Sequence, residues 1–464
     1  MSRHVQRTLC ALGIGALLQR AALLLVSVVL GHVLGAAGFG RYALATALGM
    51  TLAALAGTGI RSVTSRAIAR EPLAAGGWIR AAVRLRLLLT LLLLPLPLAA
   101  CWALADDPWP WCTGALLAVP LAWDQKGLLD AAARTSREVA QDVAATAVHA
   151  GGTLLLCAVG LTDLTALLLV QLAGRVVYAI GAGFAMRGLP GFAAPPAARA
   201  ILPHAFVPTV TQTLAGLAQN GDVWLVRWFG GEAAAGLYAV ALRVATTAAL
   251  PAAQLARLLQ PHNDRAAATP AAAGTAARSL RASAFAILPL AAGGAVVAEP
   301  LCALFGAEFT AAAPALRTLL AATAVQQFGW IQAQVLFAHA RIRAWAVSLW
   351  TGTAVQVTAI ALLTPPFGAA GAAAGALLGY GVHLAAATTA VNRRLAVAML
   401  EALRPAVAIA AATAAAALLA APLHLVVQLA AGAVAFAVGL YVVELRHTWR
   451  RFGRGLSDAS GFGA

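Results

Sequence analysis

Residues 85–100 read Leu85-Arg86-Leu87-Leu88-Leu89-Thr90-Leu91-Leu92-Leu93-Leu94-Pro95-Leu96-Pro97-Leu98-Ala99-Ala100, and this run decides the fold. It is continuous, without the alternation that marks a half-buried strand. A second run, from Ala406 to Leu423, has the same character. Apolar runs of roughly 20 residues, enough to cross about 30 Å of hydrocarbon, recur from end to end with only short polar breaks. The chain has 464 residues, 61% of them hydrophobic and 10% charged, with a mean hydropathy of +0.84. That is far more apolar surface than one soluble core buries. Membrane barrels are built from short alternating segments, so continuous runs mean helices, whose backbone hydrogen bonds close within each segment. The expected fold is all-α and polytopic, with the lipid bilayer as solvent.

Runs set against breaks place about fourteen spans, near 8–30, 42–60, 86–104, 112–132, 143–161, 164–186, 204–228, 236–258, 283–303, 316–338, 345–363, 369–391, 404–421 and 424–444. Arginine falls in alternate connections. The second holds Arg61, Arg66, Arg70, Arg80, Arg84 and Arg86, the fourth Arg134 and Arg137, and the sixth Arg187 and Arg199. The eighth holds Arg257, Arg265, Arg278 and Arg281, the tenth Arg341 and Arg343, and the twelfth Arg393, Arg394 and Arg404. Intervening connections are poor in arginine and carry Asp106-Asp107, Asp163 and the stretch from Glu299 to Glu308. The positive-inside rule then puts both termini in the cytoplasm of a cell whose inner membrane holds the protein. A net charge of +16 and a pI near 11.2 would suggest nucleic acid in a soluble protein. Here the charge sets topology, and no nucleic-acid partner is expected. Five scattered cysteines, Cys10, Cys101, Cys112, Cys157 and Cys302, read as packing residues. Arg3 and Arg7 precede an apolar stretch without a small-residue cleavage site, so that stretch reads as the first span.

The chain also repeats itself. Gly40-Arg41-Tyr42-Ala43-Leu44-Ala45 returns as Gly236-Leu237-Tyr238-Ala239-Val240-Ala241, each copy following an Arg-poor break that begins at Leu34-Gly35 or Phe229-Gly230. At the same offset Arg61 falls on Arg257. An even number of spans separates the copies, so they cross the membrane in the same direction. This divides the chain into two parallel six-helix lobes, 1–190 and 191–395, with 396–464 supplying two further spans and a basic tail.

The segment from Gln19-Arg20 through Leu34-Gly35-Ala36-Ala37-Gly38-Phe39-Gly40-Arg41-Tyr42-Ala43 resembles the opening of the bacterial polysaccharide flippases, the Wzx-type oligosaccharide flippases of the superfamily that also holds the multidrug and toxin extruders. Gly236-Leu237-Tyr238-Ala239-Val240-Ala241-Leu242-Arg243 is similar to the start of their second lobe. Leu304-Phe305-Gly306-Ala307-Glu308-Phe309, with Ala313 and Leu316, looks like their loop before the tenth helix. The resemblance implies two bundles in a pseudo-twofold V around a cavity open alternately to each side. It implies a cargo of polyprenyl-pyrophosphate-linked oligosaccharide for cell-surface polysaccharide. A coupling cation or proton, and polysaccharide polymerase or export machinery, are the further partners it implies.

Charges at membrane depth cost a few kcal/mol and mark functional candidates. Arg20 lies midway along the first span and Arg175 midway along the sixth, with Arg243 two turns into the eighth and the repeat-matched Arg61 and Arg257 near the cytoplasmic mouth. A lipid pyrophosphate suits guanidinium forks, so these five are candidate substrate-binding residues; a structural ion pair or a carbonyl cap is the alternative for each. Arg20 also matches the family's first-helix motif. The polar seventh span carries Gln212, Gln219, Asn220 and Asp222, with Arg227 nearby; Asp222 is the candidate coupling-ion residue, unless it pairs with an arginine. On the tenth span Gln327, Trp330 and Gln334 share a face and could hydrogen-bond and stack on a sugar, or bond between helices. Asp124 and Lys126 either line the cavity or end the fourth span. Pro120, Pro208, Pro251 and Pro289 should bend the helices that hold them. No phosphate loop, HExxH, paired Cys/His ligands or nucleophile elbow appears, so a transporter without cofactor, metal or catalytic centre is expected. The rival readings are a cation-coupled multidrug extruder, which would want deep acids where this chain has arginines, and a flippase of the peptidoglycan lipid precursor. A membrane glycosyltransferase or ligase would want a large loop with catalytic acids or bases.

Overall fold

The computed structural model describes residues 3–125, 128–131, 135–191, 201, 209–211, 214, 216, 221–266, 272–338, 341–391, 393–420 and 425–439. Every regular element among them is a helix. In chain order they are α1 (Arg3–Arg70), α2 (Ala75–Leu93), α3 (Pro95–Leu104), α4 (Trp109–Leu116), α5 (Ala118–Leu121), α6 (Leu128–Ala131), α7 (Thr135–Ala158) and α8 (Leu164–Met186). Then follow α9 (Asp222–Ala266), α10 (Ala272–Val296), α11 (Ala298–Ala303), α12 (Ala313–Ala338), α13 (Ile342–Ala390), α14 (Arg393–Leu419) and α15 (Leu425–Gly439). Short 3-10 turns occupy Pro72–Ala74 and Ala307–Ala312. Among the described residues six stretches are long and apolar enough to cross a membrane, Leu18–Gly57, Ala75–Leu104, Leu164–Met186, Asp222–Ala256, Ala276–Val296 and Arg343–Ala390. The protein is a multi-pass, all-α membrane protein.

Three of the long helices are broken at a glycine. α1 breaks at Gly35 (φ 63°), α9 at Gly231 (φ 85°) and α13 at Gly368 (φ 56°). Gly160 and Gly306 also take positive φ, so five of the Arg-poor connections turn at a glycine free of the Cβ clash that bars other residues. At the third connection, also Arg-poor, the chain leaves α3 at an extended Ala105, and the thirteenth lies outside the described residues. α8 starts at Asp163, whose carboxylate accepts the Ala166 N–H at 2.9 Å, a cap that satisfies one orphan donor.

Three expectations need correction. The third span begins at Ala75, not near residue 86, so Arg80, Arg84 and Arg86 are helix residues rather than connection residues. Arginine is a good helix former, and hydropathy alone misplaces a helix end that contains it. The fourth span ends at Leu121, not near 132: beyond Pro120 the chain closes tight turns, Trp123 N–H to Pro120 O at 3.0 Å and Asp124 N–H to Leu121 O at 2.9 Å. The break in the second copy falls at Gly231, one residue past Phe229-Gly230. Lys126 and Pro208 lie outside the described residues.

The chain forms two compact units. The first comprises Met1–Val240, Phe305–Phe309 and Ile360–Ala372. Within it α1 packs on α2, α4 and α7, and α8 on α7 and α4, around Ile60, Ile68, Ile79, Leu128 and Met186. The second comprises Ala241–Leu304, Thr310–Ala359 and Ala373–Ala464, and in it α10 packs against both α14 and α12 over Leu280, Ile287, Ile331, Leu336 and Trp345.

Candidate functional site

The first unit contains a contact between the two copies of the repeat. Gly35 and Gly231, Gly40 and Gly236, and Tyr42 and Tyr238 stand at one common offset. Both break glycines share the same backbone geometry, with ψ of −179° and 179°, and both tyrosines are fully buried. A Cβ at Gly40 would collide with the Glu232 carbonyl oxygen, and a Cβ at Gly236 with the Ala36 carbonyl oxygen. Ala36 and Glu232 are themselves equivalent in the repeat, so each copy presses its glycine onto the same carbonyl of the other, the reciprocity of a twofold contact.

Around this contact sits an ion network. One Glu232 carboxylate oxygen accepts the Arg41 Nε–H at 2.6 Å, and the other accepts an Arg227 Nη2–H at 3.2 Å. The Arg227 guanidinium lies 5.1 Å from the centroid of Trp111, whose ring is 5.6 Å from that of Trp224. A Glu308 oxygen accepts the Ala36 N–H at 3.0 Å and so caps the helix arm that starts after Gly35.

Asp222 is 1% exposed at the start of α9. Its Oδ2 accepts the Tyr238 hydroxyl at 2.6 Å and its Oδ1 the Val223 N–H at 2.8 Å. Its side-chain partner is thus a repeat-motif tyrosine rather than the arginine weighed as an alternative. Gln212, Gln219 and Asn220 lie outside the described residues.

In the same unit, Arg20 on α1 is exposed and interacts electrostatically with Asp142 on α7 and with the half-buried Arg175 on α8. Arg61 pairs with Asp124 at 3.8 Å, half-exposed on both sides. Arg86 is buried, packs on Gly57, and donates to the Asp124 carbonyl at 2.5 Å and the Leu121 carbonyl at 2.9 Å. It therefore caps the unwound end of the fourth span, and Asp124 ends that span while facing Arg61. Beside it Gln125 is fully buried, and neither atom of its side-chain amide has a hydrogen-bond partner among the described residues.

The remaining candidates belong to the second unit. Arg243 is half-buried on α9, whereas the side chain of Arg257 lies outside the described residues. Gln327 and Trp330 are half-buried on α12, and the side chain of Gln334 is likewise outside. Their neighbour Gln332 is buried and accepts the Thr388 hydroxyl at 2.7 Å, the interhelical bond that was the alternative for this stripe. Among the described residues no group of three His, Cys, Asp or Glu side chains is placed to hold a metal. Arg86, Arg41, Glu232, Trp111 and Trp224 escape a reading of the sequence. Arg86 offers a signal, an arginine inside an apolar run; the others meet only across long separations.

Fold and site together define a polytopic, all-α membrane protein. Residues 7–253, more than half of the chain, match the family described as polysaccharide biosynthesis protein. The chain belongs to that family. Its fold is similar to that of the lipid II flippase MurJ in an inward closed conformation, with a TM-score of 0.69 at 10% identity over 95% of this chain and 100% of that one. It is similar to an inward-facing multidrug resistance MATE family transporter of the MOP superfamily, with a TM-score of 0.62 at 15% identity over 84% of this chain and 95% of the other. A MOP superfamily transporter from Pyrococcus furiosus, described as having a binding pocket of reverse polarity, gives 0.54 at 15% identity over 86% and 95%. No protein of curated function matches the sequence.

Proposed function

We propose that this protein moves polyprenyl-pyrophosphate-linked oligosaccharide across the cytoplasmic membrane by alternating access, for O-antigen, capsule or exopolysaccharide assembly. The observation that carries the reading is the match to the polysaccharide biosynthesis family, in a chain whose Arg20 interacts electrostatically with Arg175 and Asp142 within the first unit. Guanidinium forks neutralise a pyrophosphate and return little to a neutral or cationic drug. In this reading the lobes are 1–190 and 191–395, both termini are cytoplasmic, and the Arg-poor face is the release side. Arg61, Arg243 and Arg257 serve the same anion as it moves, and Gln327, Trp330 and Gln334 line the path of the sugar. Polymerase or export machinery receives the product. Cells lacking the protein should accumulate the lipid-linked saccharide at the cytoplasmic leaflet. Wild type should rescue them and Arg20→Ala, at matched abundance, should not. Unchanged saccharide export without the protein, and without a compensating flippase, overturns the reading. The likeness to a lipid II flippase favours a second one, the peptidoglycan precursor, which the same assay separates by scoring which lipid-linked saccharide accumulates.

Asp222 is the coupling residue in this proposal, since a buried carboxylate held by the Tyr238 hydroxyl and the Val223 N–H, with no arginine against it among the described residues, can exchange a cation or proton. Asp222→Asn keeps an acceptor for Tyr238 but loses the charge. In vesicles it should transport without responding to an imposed ion gradient; a gradient response equal to wild type removes Asp222 from coupling.

A further inference from the structure

We propose that Trp111, Trp224, Arg227, Glu232 and Arg41 form a binding site for an acidic saccharide on the Arg-poor face. This rests on the flippase reading for the class of ligand, and on geometry for the place. The tryptophans of this face fall into two kinds. Trp102, Trp109 and Trp228 are 59%, 60% and 84% exposed, as expected of rings in a membrane-interface belt. Trp111 and Trp224 are half-buried, lie 5.6 Å apart at 44°, and turn toward a charged network. Trp224 and Arg227 are three residues apart on α9 and so share a face, and Arg227 stacks on Trp111.

The polar part has the chemistry of a saccharide site. Glu232 is shared between two arginines, which leaves the cluster with one positive charge in excess. Among the described residues, Arg41 uses its Nε–H and Arg227 one Nη2–H on that carboxylate, and the Arg41 side chain is 57% exposed. Unused guanidinium N–H groups therefore stand beside an aromatic pair. A pyranose presents C–H faces for indole rings and hydroxyls for guanidinium, and a uronate carboxylate answers the excess charge. The shared carboxylate fixes both forks in advance, so little ordering remains when a ligand arrives.

Purified full-length protein in nanodiscs, titrated with trigalacturonate, maltotriose or inorganic phosphate and read by tryptophan fluorescence and equilibrium dialysis, tests this. Saturable binding of trigalacturonate, weaker binding of maltotriose, and a loss of about tenfold or more in Arg227→Gln and Trp224→Leu are expected. Arg227→Lys and Trp224→Phe, which keep the charge and an aromatic ring, guard against misfolding and should weaken binding by less. Phosphate binding as tightly as the acidic sugar, with Trp224→Leu silent, overturns the saccharide assignment. Absence of saturable binding overturns the site. If cells lacking the protein still accumulate lipid-linked saccharide in that case, the site fails and the flippase reading stands.

Discussion

Valine at position 236 will destabilise the protein by about 3 kcal/mol or more, because its Cβ would occupy the space of the Ala36 carbonyl oxygen. The obstacle is backbone, which cannot swing aside as a long side chain can. The overlap lies at the contact between repeat copies, so the damage should reach transport as well as stability. Gly236→Ala suffices to reveal the overlap in thermal unfolding of the detergent-solubilised protein, and Gly40→Ala should behave likewise against the Glu232 carbonyl. The double variant should lose less than the sum of the two, since both relieve into one contact. Gly183→Ala on α8, where an added Cβ meets nothing within 4 Å, is the reference: it should be neutral or gain about 0.5–1 kcal/mol from reduced chain entropy. Were Gly236→Ala to unfold with Gly183→Ala, the close approach of the copies would be wrong.

Arg86→Ala should cost about 3–5 kcal/mol, summed from two carbonyls left without donors and a hole against Gly57. Lysine at 86 keeps the charge but not the fork that spans the carbonyls of Leu121 and Asp124, so Arg86→Lys should fall between. Arg61→Ala supplies the contrast. Its pair with Asp124 is 3.8 Å long and half-exposed, worth under about 1 kcal/mol, so Arg61→Ala should leave unfolding nearly unchanged while reducing transport if Arg61 serves the cargo. Unfolding in urea or heat, set beside complementation, separates an arginine that holds the fold from one that holds the substrate. Arg86→Ala unfolding like wild type would show the unwound end of the fourth span satisfied by other means.

The membrane spans were legible because hydrocarbon imposes a length and a composition that a window of sequence can measure. Their ends were less so. Arg86 sits in an apolar run, yet a hydropathy reading assigns it to a connection, since only the folded chain shows two carbonyls waiting for it. The repeat was visible in Gly40 to Ala45 and Gly236 to Ala241, but its meaning as a contact was not, since which carbonyl each glycine meets depends on how helices cross. Arg41 and Glu232, 191 residues apart, carry no mutual signal in one sequence. Asp222 was found by charge at depth, and its partner lay within the quoted repeat; the break at Gly231 that folds Tyr238 back onto it supplies the link. Gln332 shows the opposite limit: polar spacing on α12 flagged the helix, but only packing reveals that this amide is engaged by Thr388.

The reciprocal contact of Gly40 with the carbonyl of Glu232, and of Gly236 with that of Ala36, is the one a single repeat would make with a second copy of itself. A homodimer built that way would be bound to treat its two halves alike. This chain is not, for where the first copy has Arg41 the second has Leu237, and where the second has Arg227 and Glu232 the first has Gly31 and Ala36. Joining two copies in one polypeptide lets each half of a symmetric handshake be edited alone, so the cargo proposed above, with a charged end and a sugar end, would meet a surface that is lopsided too.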